Sequence, residues 1–112
     1  MKSRRELHEE LREGILALLG VMERPNAGIH EDAFFVGRKM FMHIHGYGHC
    51  DIRLPKVVQE RVLAEGMAQR HHWAPKAGFV TFIVKEENDL EQAMELIKKS
   101  YEYFSEKVFQ ES

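Results

Sequence analysis

"MFMHIHGYGHCDIRLP", Met40 to Pro55, is the stretch that decides the fold. It holds two runs of alternating side chains around a Gly46-Tyr47-Gly48 turn. Side chains on a strand alternate between faces, so Met40, Met42 and Ile44 share one side while Phe41, His43 and His45 share the other. In the second run Cys50, Ile52 and Leu54 go one way, and His49, Asp51 and Arg53 go the other. A glycine-rich turn between two such runs predicts an antiparallel hairpin. The apolar set must be covered by a second layer. His43, His45, His49, Asp51 and Arg53 are then gathered on the opposite face of the same hairpin.

The rest of the chain supplies the covering layer. Leu7, Leu11, Ile15, Leu18, Leu19 and Met22 recur at helical spacing and predict an N-terminal helix over residues 4–22, with Ser3 and Glu6 as a capping box. Gly14 and Gly20 each weaken that helix by roughly 1 kcal/mol relative to Ala. Ala33 to Val36 predicts a first strand, ahead of the hairpin. Pro55 suits the first turn of a second helix, striped by Val58 and Val62 and closed at Gly66. Ala68 to Trp73 predicts a fourth strand. "FVTFIV", Phe79 to Val84, is aromatic and β-branched throughout and predicts a fifth. Leu90, Met94, Ile97, Tyr101, Phe104 and Val108 fall on one face of a last helix that starts near Asn88 or Asp89, with fraying expected after Lys107. The order α-β-β-β-α-β-β-α predicts an α+β two-layer sandwich. Its sheet of four to five strands is mostly antiparallel, and its helices pack on one face. We expect one domain over residues 1–112, made of the N-terminal helix and an α/β core over residues 33–105.

Composition bounds the function. The net charge of -2 gives no bulk attraction to nucleic acid or to an anionic membrane, which makes a nucleic-acid partner the weaker expectation. No apolar run approaches the roughly 18 residues that span a bilayer. The charged N-terminus lacks the apolar segment of a secretory signal, and one cysteine, Cys50, suits a reducing compartment; a cytoplasmic location is expected. Phosphate-loop, zinc-protease, nucleophile-elbow and kinase motifs do not occur.

The histidines carry the candidate chemistry. Two histidines at i and i+2 on a strand, here His43 and His45, can both coordinate a divalent metal, with His49, Asp51, His71 or His72 completing the set. The same residues suit a small-ligand site, or an acid–base pair of His45 and Asp51. A solvent-facing polar sheet surface is the bland alternative. His71, His72 and Trp73 form a second unusual stretch, from which one histidine can join the first cluster; Trp73 is either core or a stacking platform. Cys50 faces the helices and reads as a structural thiol. Arg38, Lys39, Arg53, Lys56 and Arg61 are scattered basic residues that could form a weak anion site with the histidines.

Phe41-Met42-His43-Ile44-His45-Gly46, Asp51, Leu54-Pro55, Leu63, Gly66, Ala68, His71-His72, Gly78 to Phe82 and Tyr101 together resemble the small "luciferase domain" family. The similarity covers roughly Phe35 to Phe104. The stretch from His71-His72-Trp73 to Ser100-Tyr101 is also similar to the YjbR-like family, which implies a two-layer α/β fold, often labelled DNA-binding, without a settled activity. The chain is too short for a flavin-dependent barrel and carries no cofactor fingerprint. The resemblance points to His43, His45, Asp51, His71 and His72 as shared polar positions and gives none of them a role. Three functions are therefore open: a ligand- or metal-binding module on the histidine face, a DNA-binding domain, or a small acid–base enzyme. The N-terminal helix lies outside the resemblance and is a candidate element for a homodimer.

Overall fold

The structure is a computed structural model, and it describes residues 1–70 and 78–111. Helix α1 (Arg4–Leu16) is followed by strands β1 (Val21–Asn26), β2 (Glu31–Val36), β3 (Lys39–His45) and β4 (His49–Arg53), helix α2 (Lys56–Ala64), strands β5 (Gln69–Arg70) and β6 (Phe79–Ile83), and helix α3 (Glu87–Glu111). The strands form one antiparallel sheet in the order β1-β2-β3-β4-β6-β5. The helices supply the second layer, so the architecture is α+β. Among the described residues no helix is long and apolar enough to cross a membrane.

The sheet has one strand more than expected, and it comes from the far end of the predicted N-terminal helix. That helix stops at Leu16, six residues early. The chain turns at Leu18, whose carbonyl accepts from the Val21 N–H at 3.2 Å, and pairs Val21 with Val36 and Met22 with Phe35. Ladder pairing with β2 outweighs the helical spacing of Leu19 and Met22, which end up exposed. Pro25 sits comfortably because β1 is an edge strand, where a missing N–H removes no ladder bond on the solvent side. The β2 strand likewise begins two residues before the expected Ala33.

The Ser3–Glu6 capping box forms as predicted. Leu7, Leu11 and Ile15 are at most 2% exposed and join Ala93, Leu96 and Ile97 of α3 in the core. The apolar stripe of α1 is thus buried inside the chain. Gly14 has a packing reason: a Cβ there would lie 3.2 Å from Met94 Sδ of α3. Under the helices lie Phe34, Met42, Ile44, Cys50, Ile52, Val80, Phe82 and Val84. Phe41 departs from the expected alternation. The β2–β3 register slips between Phe34 and Phe35, so Phe34 pairs with Met42 and Phe35 with Met40. This bulge leaves Phe41 unpaired and swings it toward α3, where its ring meets Tyr101 edge-on and its carbonyl accepts from Ser100 Oγ at 2.9 Å. Beyond the bulge His43 and His45 keep the face read from the sequence.

Helix α1 is also pinned by a polar network. The Arg12 guanidinium holds the Glu23 carboxylate at 2.6 and 2.7 Å, and Glu23 in turn lies against Asp32. Burial and then the Glu23 carboxylate push the Asp32 carboxyl up to about 7, with Arg12 opposing. Burial pushes the neighbouring His8 imidazole down. The native Asp32 therefore keeps a proton that the unfolded chain loses near pH 4, and this group's contribution to stability declines as pH rises from about 4 to about 7.

Two measurements check this layer. Leu11→Ala should lower unfolding free energy by about 2–5 kcal/mol in urea titrations; a loss under about 1 kcal/mol would mean α1 is dispensable. Asp32→Asn should be more stable than the parent near pH 8, with the gain shrinking near pH 5; a gain equal at both pH values would contradict a proton held on native Asp32.

Candidate functional site

Cross-strand register assembles the site on the face away from the helices. One row runs Ala33–His43–Asp51–Thr81–Gln69 across β2, β3, β4, β6 and β5. The next runs Glu31–His45–His49–Ile83. Directly paired residues have side chains close enough to touch, so two adjacent rows bring three imidazoles and two carboxylates together.

Asp51 is the hub. It is 1% exposed, although it lies on the polar face. Thr81 Oγ1 donates to its Oδ1 at 2.7 Å, and His43 Nε2 lies 2.9 Å from its Oδ2. A carboxylate only accepts, so it selects the His43 tautomer that carries the proton on Nε2. His45 Nε2 lies 3.5 Å from the same Oδ2, and His49 Nε2 lies 3.6 Å from Oδ1. Glu31 completes the cluster, with its Oε2 3.3 Å from His45 Nε2. His43 and His45 meet edge-on with ring centroids 4.9 Å apart, and His45 and His49 at 5.9 Å.

The ends of the strands hold these side chains in register. Gly48 (φ +85) closes the β3–β4 turn so tightly that a Cβ would come 2.5 Å from the Val84 carbonyl oxygen, while the Gly48 carbonyl accepts from the Val84 N–H at 2.8 Å. Only glycine fits there. His30, at φ 50, is the one non-glycine residue in the left-handed region among the described residues. Its carbonyl accepts from the Gly46 N–H at 2.8 Å and locks the register next to the Glu31–His45 pair.

The structure thus brings together His43, His45, His49 and Asp51. Arg53 does not join them. Its guanidinium turns round the end of the sheet, donates to the Met40 carbonyl at 3.0 Å and lies over Phe104 at 4.6 Å. His71, His72 and Trp73 lie outside the described residues. The expected acid–base pair of His45 and Asp51 is the looser one, because His43 is nearer the carboxylate. Glu31 and Thr81 are members the sequence reading missed. Period-two spacing back from Ala33 and along "FVTFIV" marks both for this face.

Three of these residues, Glu31, His43 and His45, each offer a ligand atom within 4.8 Å of the other two. A zinc-sized ion with bonds near 2.1 Å holds tetrahedral donors about 3.4 Å apart, so coordination needs these atoms to close by up to about 1.4 Å. Imidazole with carboxylate is a donor set for zinc and the later first-row divalent ions.

The model of the luciferase domain family matches residues 38–100, more than half of the chain. The chain belongs to that family. The matched segment contains His43, His45, His49, Asp51 and Thr81 but not Glu31. No curated protein and no solved structure matches the chain.

Cys50 takes no part in it. Its side chain is buried under the helices, and burial pushes the thiol up to about 12, with a smaller contribution from Asp51. Thiolate is the reactive form. A disulfide reagent should therefore react at about pH 8 at least ~100-fold more slowly with native protein than with protein unfolded in urea; equal rates would place the thiol at the surface.

Proposed function

We propose that this luciferase domain is a metal-binding module, holding a divalent transition ion between Glu31, His43 and His45. The carrying observation is the convergence of those three ligand atoms within 4.8 Å on the paired strands β2 and β3. Asp51 and Thr81 stand behind the set. A ligating imidazole is oriented by a carboxylate, and Asp51 bonded to His43 has that arrangement. Three protein ligands leave coordination positions open, where a small molecule can enter. His49, half-exposed at the mouth, is a further imidazole within reach of such a ligand.

The reading is tested on untagged protein loaded with zinc or nickel and then desalted. About one ion per chain should remain, and the melting temperature should rise with free-metal concentration, because binding to the native state stabilises it. Glu31→Gln or His45→Ala should abolish retention while the far-ultraviolet circular dichroism stays native. Asp51→Asn should weaken the site about 10–100-fold. Parent protein that retains no metal after loading, or an affinity unchanged in His45→Ala, would overturn the proposal.

A further inference from the structure

The sheet end opposite the β3–β4 turn carries a feature the histidine cluster does not use. Lys39, Arg53, Leu54, Pro55, Tyr103, Phe104 and Lys107 line a groove of ≈ 350 Å³ between the ends of β3 and β4 and the last turns of α3. Three of the seven are cations, and no carboxylate lines the groove among the described residues. In a chain of net charge -2 this is a local reversal of sign.

Arg53 is the central residue. It is half-buried, and its guanidinium is fixed in place by the hydrogen bond to the Met40 carbonyl and by the Phe104 and Phe79 rings at 4.6 and 6.0 Å. Of its five N–H donors, one is used by Met40, and Arg53 has no carboxylate partner among the described residues. A partly desolvated guanidinium with a preset fork is arranged for a bidentate oxyanion. Lys107, one turn of α3 beyond Tyr103, lies over the Tyr103 ring at 4.8 Å and brings a second charge from the helical side, opposite Arg53 on the sheet. The volume falls at the small end of the range for small-molecule sites, about 300–1,000 Å³.

We infer that this groove binds a phosphate dianion, with Arg53 supplying the fork and Lys107 a second charge. The shared chemistry is the phosphate group, either free or carried by a small organic molecule whose apolar part lies against Leu54, Pro55 and Phe104. None of the lining residues belongs to the histidine cluster, so the two sites are independent.

The test is calorimetric titration of the untagged full chain at low ionic strength with inorganic phosphate and with phenyl phosphate, using phenol as the uncharged control. Saturable binding of a phosphate, absent with phenol and weakened by added salt, is expected. Tighter binding of phenyl phosphate assigns the groove to a phosphorylated small molecule; equal binding of the two assigns it to the free ion. Lys107→Gln and Arg53→Gln should each weaken binding about tenfold, and His45→Ala should leave it unchanged. Lys107 is exposed, so its variant tests the groove even if the Arg53 variant folds poorly. The inference is overturned if neither phosphate binds the parent, if binding is indifferent to Lys107→Gln, or if His45→Ala abolishes it.

Discussion

A carboxylate sealed inside a sheet must be met by donors, and the arrangement around Asp51 follows from that requirement. An unpaired buried charge costs several kcal/mol, so its partners must already be in place when the sheet closes. Thr81 on β6 and His43 on β3 supply them from either side of β4. Satisfying one residue therefore fixes three strands in a single register. A slip of one residue would send Asp51 into the core and Cys50 out to the polar face. The same register carries Glu31, His45 and His49 into the adjacent row. Stability of the central sheet and assembly of the site are in this sense one event.

The two faces divide the work cleanly. Toward the helices the sheet is apolar, and Cys50 belongs to that side despite its sequence position between two cluster members. The polar exception beneath α1, where Arg12 reaches Glu23 beside Asp32, lies near the sheet's outer edge at β1 and β2, away from the densest packing. It anchors the N-terminal helix through charge where the α3 contact anchors it through shape. The helix lies outside the family match yet buries three residues completely, so it is structural for this chain.

Much of this was legible in the sequence because strand alternation is a strong local signal. His43, His45, His49 and Asp51 are separated by even steps within strands, and the Gly46–Gly48 turn left little freedom in how the strands met. The amphipathic last helix was equally plain, and its helical backbone runs to Glu111. What failed was governed by distant partners. Val21 to Asn26 contains a proline and charged residues and becomes a strand only because β2 is there to pair with it. Glu31 was missed with it, since the strand that carries it was read as starting too late. Arg53 obeys the alternation at its Cα, but its long side chain is drawn to the Met40 carbonyl and the Phe104 ring, which no local pattern reveals.

The β3 bulge has a consequence for how this strand can vary. It acts as a phase changer: upstream of it the strand is set by α3 through Phe41, and downstream by the carboxylate of Asp51. Deleting a residue on the turn side of the bulge would rotate the imidazoles inward, whereas removing the bulge residue itself would straighten the strand and leave them outside. A length change at that joint keeps the imidazoles on the polar face but gives up the Phe41 packing against α3.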